Sequence, residues 1–428
     1  MEIDLHFNIN LTKSQQKAYD LFHNEKVKEL VLNFSRQSGK TTLCEILLIE
    51  TLVKSKTNCA YISPDFGQGK KVFREIVNLL SQTPLIKKKN STDLTISLIN
   101  GSFLQFFTGK NPTAIRGNTI SGLLVLDEAA YLPEETSDGQ NFYHMVVKPI
   151  TKAKKPKVVF ISTPNGKFGL FYEKYLEGLT SETTKTVECN IYEDTTISKE
   201  DVEELKRTTP PMAWRQEFLC EFLDSALTVF EGYEKQFIDY KDITLNKKVW
   251  IGVDLSGNGS DDTILTKTDG KYVRQYLIEG TLDSKYRQIA KIINEENNLV
   301  MAYCESNGLG EPMINEIRKL VKNKSKVLYY TTTNENKNEN VGNLQLKISQ
   351  NEIFFNTEEK ELYKQLGVFT CKVNKTTRRI TYAAKEPNHD DRVMSLLIAL
   401  SAKNDYPSKG VEASYRFVAT RKRRLDNG

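Results

Sequence analysis

The sequence predicts an α/β protein made of two successive sheets, and three observations lead there. An apolar strand, Leu30 to Phe34, runs straight into Ser35-Arg36-Gln37-Ser38-Gly39-Lys40-Thr41-Thr42 and then into an apolar helical run from Leu43 to Val53. Strand and helix signals alternate from there to about residue 180, as in a mainly parallel sheet covered by helices. A fresh pattern opens at Lys248, with three closely connected strands, a helix and a fourth strand.

In the first region a helix is expected over 14–25 and strands near 30–34, 58–63, 94–107, 122–127 and 157–162. The segment after the first strand has the chemistry of a phosphate-binding loop. Backbone N–H groups at a helix N-terminus cradle phosphates, the Lys40 ammonium reaches the outer phosphates, and the Thr41 hydroxyl binds magnesium. Phe34 stands where the usual pattern has its first glycine, and a Gly-Lys-Thr tripeptide by itself also arises in solvated turns. The surroundings decide. Gly122-Leu123-Leu124-Val125-Leu126-Asp127-Glu128-Ala129 reads as a buried strand ending in two carboxylates, as found at the carboxyl end of a parallel strand beside a nucleotide. Asp127 would hold the magnesium and Glu128 would polarise the attacking water. The strand Lys157 to Ile161 ends in Ser162-Thr163-Pro164-Asn165-Gly166, placed to sense a γ-phosphate, although an ordinary Asn-Gly turn explains the same residues.

Ser198 to Phe222 is polar and helix-prone, is broken at Pro210-Pro211, and leads into irregular sequence up to Lys248. Strands follow at 248–254, 262–268 and 271–279, the last two joined by the hairpin signal Asp269-Gly270. A helix from Ser284 to Glu296 and the strand Val300 to Glu305 complete the opening of a ribonuclease-H-like sheet. If the first and fourth strands pair, Asp254 and Glu305 fall at one sheet end. Asp390 and Asp391 open a helical run from Arg392 to Lys403. Converging carboxylates without histidine clusters or thiolates suit Mg²⁺ or Mn²⁺, hence two-metal phosphodiester cleavage. Each aspartate read alone is equally well a helix cap. Asp262 would support the centre, and His389 would be a structural or phosphate-contacting neighbour. The expected domains are 1–205, a connecting segment 206–247, 248–405, and a basic flexible tail 406–428.

At 428 residues the chain is long enough for two or three cores. No apolar run approaches the roughly 18 residues of a membrane span, and the N-terminus lacks a secretion pattern, so a cytosolic protein with no membrane partner is expected. Six scattered cysteines argue for reduced thiols and against zinc. A net charge of +5 is too small to mark a nucleic-acid binder. The runs Lys87-Lys88-Lys89, Lys152 to Lys157 and Arg421-Lys422-Arg423-Arg424 are candidates for phosphate contact, each also explicable as a solvated face. No internal repeat or low-complexity stretch is evident, except for the polar segment Thr331 to Asn343.

With these residues in view, the chain resembles the large terminase subunit of tailed bacteriophages, the motor and nuclease that packages genomes into preformed capsids. Ser35 to Thr42 looks like that family's variant phosphate loop, which accounts for the missing glycine and for Arg36. Leu124 to Ala129 is similar to its Walker B segment, Ser162 to Gly166 to its coupling motif, and Leu11-Thr12-Lys13-Ser14-Gln15 to its adenine-recognition motif, with Gln16 the competing register for Gln15. Ala114-Ile115-Arg116-Gly117-Asn118 is similar to the segment preceding Walker B, which makes Arg116 a candidate arginine finger on a neighbouring subunit, with Arg36 the alternative. Asp254, Glu305 and Asp391 match the nuclease acidic triad, and His389-Asp390-Asp391-Arg392 its third motif, with Asp390 and Asp391 competing as metal ligand.

The resemblance implies a P-loop ATPase sheet of the ASCE type followed by a ribonuclease-H-like nuclease, with ATP and Mg²⁺ as ligands and Mn²⁺ able to substitute in the nuclease. It also implies double-stranded DNA, a procapsid portal and a small terminase subunit as partners, a homo-oligomeric ring (a pentamer in the family) when docked, and residence in the host cytoplasm with transient docking on the portal. Two other readings stay open on the residues alone: a helicase or repair ATPase joined to a resolvase-like nuclease, and a non-catalytic DNA-binding assembly subunit.

Overall fold

The computed structural model describes residues 10–194, 196–223, 229–240, 248–255, 262–307, 310–373, 380–385 and 389–407. The chain forms two compact units, Met1–Glu231 with Val368–Lys385, and Gly232–Gly367 with Glu386–Gly428.

The first unit is built on an eight-stranded sheet. Its strands are β1 (Glu29–Phe34), β2 (Asn58–Ser63), β3 (Ile86–Asn90), β4 (Thr95–Leu98), β5 (Phe103–Thr108), β6 (Leu123–Asp127), β7 (Lys157–Ser162) and β8 (Thr184–Cys189), in the spatial order β3-β4-β5-β2-β6-β7-β1-β8. From β5 to β8 every neighbouring pair is parallel, while β3-β4 and β4-β5 are antiparallel. The reason lies in the side-chain alternation of the central strands. Leu30, Leu32, Phe34, Leu123, Val125, Val159 and Ile161 point into one core, and Val31, Leu124, Leu126, Val158 and Phe160 into a second. A strand buried on both faces reads as an unbroken apolar run, which is how β1, β6 and β7 look in the sequence.

Two expectations change here. The single strand expected over 94–107 is a pair, β4 and β5, separated by a turn in which Gly101 takes φ +86°. Its edge partner β3 is the Lys87-Lys88-Lys89 run, whose lysines are exposed, the arrangement that discourages edge-to-edge pairing. No apolar pattern announces it.

The second unit carries β9 (Phe237–Ile238), β10 (Val249–Asp254), β11 (Thr263–Thr268), β12 (Tyr272–Ile278), β13 (Leu299–Glu305), β14 (Val327–Tyr330) and β15 (Phe354–Asn356), ordered β14-β13-β10-β11-β12-β15-β9. The run β10-β11-β12 is antiparallel, and β13 returns parallel to β10, as expected. Helix Asp391–Asp405 lies directly on β10. A Cβ at Gly252 would stand 2.3 Å from the Ala399 amide nitrogen, so only glycine permits the approach. Ser395 is buried in that seam and donates to the carbonyls of Gly252 (3.0 Å) or Ile264 (3.1 Å). Most of the polar stretch 331–343 falls in the helix Asn334–Ser349, where Thr333 and Asn336 form a reciprocal capping box and Val341, Leu344 and Ile348 are buried.

The segment expected to link the domains divides between them. Residues up to 231 pack with the first sheet, where Trp214, Cys220, Leu223, Val229 and Phe230 are buried, whereas β9 is an edge strand of the second sheet. The hairpin β16 (Phe369–Val373) and β17 (Ile380–Ala384), distant in sequence, joins the first unit, with Phe369 stacked on Phe230 at 5.4 Å. Of the basic tail only Tyr406 and Pro407 fall among the described residues, so Arg421 to Arg424 lie outside them. All six cysteines are free and buried, and among the described residues no helix is long and apolar enough to cross a membrane.

Candidate active sites

Because β6, β7 and β1 are adjacent and parallel, their carboxyl ends lie side by side, with Asn33 opposite Ser162 and Asp127 opposite Ile161. Three segments far apart in sequence therefore meet. After β1 the chain turns through Gln37 (φ 64°) and Gly39 (φ 73°), and helix Lys40–Lys54 begins with no side-chain cap. That leaves its first N–H groups for a ligand. Gly39 is needed twice over: its φ is left-handed, and a Cβ there would stand 2.4 Å from Gln15 Nε2.

The loop is braced from several sides. Ser35 N–H donates to the Cys189 carbonyl (2.7 Å), Ser38 Oγ to the Ser35 carbonyl (2.7 Å), and Gln15 Nε2 to the Ser38 carbonyl (3.1 Å). Gln15 Oε1 meanwhile accepts from Thr12 N–H at 2.9 Å, so the side chain clamps helix Lys13–His23 to the loop. The side chain of Gln16, the competing register, donates to Asp20 on the exposed face. Ser35, Ser38 and Lys40 are buried, Thr41 is half-buried, and Arg36, Gln37 and Thr42 are exposed.

Asp127 is buried at the end of β6. Burial and the neighbouring Glu128 carboxylate push its pKa up to about 6, against the pull of the Tyr61 hydroxyl, the Lys40 ammonium and the Glu128 N–H. A cation beside it would favour the charged form. Glu128 has φ 44°, a left-handed conformation uncommon for a side chain with a Cβ, and such local strain gathers at functional sites. Its Oε2 accepts from the Ser162 hydroxyl (3.2 Å), and Ser162 Oγ in turn accepts from Ala130 N–H (3.3 Å). Thr163 and Asn165 are buried next to it.

Arg116 lies elsewhere, at the end of the short helix Pro112–Ile115 that follows β5. Its guanidinium donates to Gln140 Oε1 (3.0 Å) and lies 3.9 Å from Asp138. Four strand steps separate β5 from β1, about 19 Å at about 4.8 Å per step.

In the second unit, parallel pairing sets Val253 opposite Cys304, so Asp254 and Glu305 end neighbouring strands. They share a hydrogen bond. Burial, that bond, and the charges of Glu305, Asp391 and Asp390 hold the Asp254 carboxyl well above the ordinary carboxylate range. Asp391 Oδ2 accepts from Asp262 N–H (3.0 Å), and Asp390 pairs with Lys337 at 3.4 Å. His389 is exposed. Asp254 thus lies within the field of Glu305, Asp391 and Asp390, and among the described residues no group of three His, Cys, Asp or Glu side chains is placed to hold a metal ion. The donors are nonetheless all hard oxygens, which fit Mg²⁺ or Mn²⁺ rather than zinc.

Sequence reasoning passed over Tyr61, Lys337 and Glu217. Tyr61 lies inside an apolar strand, Lys337 in a stretch of mixed polar residues, and Glu217 in a segment without periodicity. None carries a local signal of its neighbours.

Residues 31–237 match the family model described as terminase large subunit, T4likevirus-type, N-terminal. Among solved structures, the large terminase from a thermophilic bacteriophage is similar over 92% of this chain and 99% of its own, with a TM-score of 0.58 at 14% identity. The same phage protein in complex with ADP is similar over 91% and 98%, with a TM-score of 0.56 at 13% identity. Its complex with ATP-gamma-S is similar over 92% and 99%, with a TM-score of 0.54 at 14% identity. At these identities the structural likeness establishes a shared fold. Residues 31–237, which hold the phosphate loop, the Asp127-Glu128 segment and Ser162 to Gly166, are thus similar to the N-terminal part of a large terminase subunit, and the chain as a whole shares the fold of the large terminase from a thermophilic bacteriophage.

Proposed function

We propose that this chain is the motor and nuclease of a DNA-packaging machine, in which ATP hydrolysis drives double-stranded DNA into a procapsid and a metal-dependent endonuclease cuts concatemeric DNA. The observation that carries this reading is the meeting of Lys40, Asp127-Glu128 and Ser162 at three adjacent strand ends, in a chain that brings Asp254 and Glu305 together in a separate unit.

In the first centre the backbone of Ser35 to Gly39 would receive the phosphates, with Lys40 and Thr42 beside them. Gln15 would hold the loop and face the base. Thr41 and Asp127 would hold Mg²⁺, which offsets phosphate charge when bound. Glu128, oriented by Ser162, would accept the proton of the attacking water. Arg116, some four strands from its own phosphate loop, would serve a nucleotide on a neighbouring subunit of a ring. Arg36, exposed beside its own loop, would act within the subunit. The complexes of the thermophilic phage protein with ADP and with ATP-gamma-S support a nucleotide site here.

In the second centre Asp254, Glu305 and Asp391 would hold Mg²⁺, or Mn²⁺ in its place, with Asp390 neutralised by Lys337. Bound metal would supply the charge that favours a hydroxide nucleophile and a leaving 3′ oxygen. The partners would be the portal, a small terminase subunit that selects the cutting site, and like subunits, in the host cytoplasm. The deciding measurement is ATP-dependent protection of DNA from nuclease by procapsids bearing a portal, with purified chain. Strand separation without any portal would favour a helicase instead, and absence of phosphate release would favour a non-catalytic assembly subunit.

A further inference from the structure

Glu217 sits in a π-helical turn, Trp214–Phe218, a widened geometry that is rare and found frequently at functional sites. It touches all three segments of the nucleotide centre. Its main-chain carbonyl accepts from Arg36 N–H in the phosphate loop at 2.8 Å. Its carboxylate accepts from the Tyr131 hydroxyl (3.4 Å) and the Thr163 hydroxyl (3.3 Å). Tyr131 closes the turn that begins at Glu128, donating its N–H to the Glu128 carbonyl at 2.8 Å. Thr163 follows Ser162, whose hydroxyl donates to the Glu128 carboxylate.

The turn is itself anchored. Trp214 is buried and stacks on Phe218 at 4.9 Å, Ile191 N–H donates to the Phe218 carbonyl (2.9 Å), and Asn33 Nδ2 donates to the Cys220 carbonyl (3.0 Å) at the end of β1. A rigid support therefore presents a carboxylate to two neutral hydroxyls. Two hydrogen bonds to one side chain, with the main-chain bond to Arg36, fix both hydroxyl-bearing segments relative to the phosphate loop.

We infer that Glu217 is a positioning residue for ATP hydrolysis: it holds the Glu128 turn and the Ser162-Thr163 segment in register with the phosphate loop, so that the base meets the water correctly. The inference rests on the proposed ATPase reading. A shift of that register would reach Glu128 through Ser162 and through the Tyr131 turn, and misplacement by about 1 Å costs on the order of 100-fold in rate.

The test compares wild-type chain with Glu217→Ala and Glu217→Gln, measuring steady-state phosphate release, binding of a fluorescent ATP analogue, and melting temperature. We expect Glu217→Ala to lose at least about tenfold in kcat, with KM for ATP and analogue affinity within about twofold of wild type, because the carbonyl that holds Arg36 remains. Glu217→Gln, still able to bond both hydroxyls, should recover to within about threefold of wild type. Unchanged kcat in Glu217→Ala overturns the inference, and so does a parallel fall of kcat, affinity and melting temperature that Glu217→Gln does not rescue. Absence of turnover in the wild type overturns the ATPase reading itself, a result distinct from either.

Discussion

Asp254 and Glu305 end two neighbouring parallel strands, and burial together with the neighbouring Glu305 carboxyl holds the Asp254 carboxyl well above the ordinary carboxylate range. Two carboxylates this close cannot both ionise without a cation between them. The pair is held by the backbone ladder of β10 and β13 and by the helix that opens with Asp391.

Replacing Asp254 by asparagine keeps the shape and the hydrogen bond while removing one acid. Cleavage of plasmid DNA in Mg²⁺ should fall at least about 100-fold, with ATP hydrolysis within about twofold of wild type. Without metal the variant should melt no lower than wild type, since a crowded negative site has been relieved. Manganese-supported cutting at the wild-type rate would remove Asp254 from the nuclease.

Glu128→Gln should still bind ATP while phosphate release drops by about 10² to 10⁴, the usual worth of a general base. Arg116→Ala should lose about 10³ to 10⁵ of the DNA-stimulated rate if it completes a neighbour's site. Mixing Arg116→Ala with Glu128→Ala chains should then restore part of the activity, because some interfaces combine an intact arginine with an intact base. Mixed rings as inactive as either variant alone would rule out action between subunits.

Glu45 is buried on the helix that follows the phosphate loop. Burial, the shared hydrogen bond with Glu75 and its charge push the pKa up to about 9, against the pull of Lys71. Since the folded chain holds this proton more tightly than the unfolded one, its contribution is full below the unfolded pKa of about 4.5 and is lost as pH rises toward 9. Glu45→Gln should abolish that decline. Urea denaturation of the first unit's transition should show the variant gaining on wild type from pH 5 to 9, by roughly 1–3 kcal/mol at the upper end. A constant difference across that range would mean that Glu45 is ionised in the fold.

Gly252→Ala should destabilise the second unit by about 3 kcal/mol or more, because the added carbon meets the backbone of Ala399 and Ser395 rather than a movable side chain. Calorimetry should show the corresponding transition lowered. Nuclease activity should fall with it, since the same helix carries Asp391.

Much of the first centre was legible because its pieces are covalently local. The loop Ser35 to Thr42 follows its strand directly, and Asp127-Glu128 follow theirs, so apolar run plus polar terminus identifies each. The antiparallel opening of the second sheet was equally plain from Asp269-Gly270 and from strand alternation. Hidden from such reading were β3, a lysine-rich edge with almost no apolar face, and the helix containing Lys337, whose cap is specified by Thr333 and Asn336 but whose buried face is sparse.

What the sequence by itself determined is the chemistry available: a phosphate loop, a carboxylate pair after a strand, and aspartates and a glutamate at strand and helix ends. The tertiary structure decided which of these groups meet. Strand order placed β7 between β6 and β1, so Ser162 reaches Glu128, and it carried Arg116 away from its own loop. It brought Lys337 to Asp390, set Glu217 against Thr163, and gave the hairpin at 369–384 to the first unit. The physical reason is that backbone propensity and side-chain period act over a few neighbouring residues, whereas these encounters depend on how apolar faces pack between segments distant along the chain.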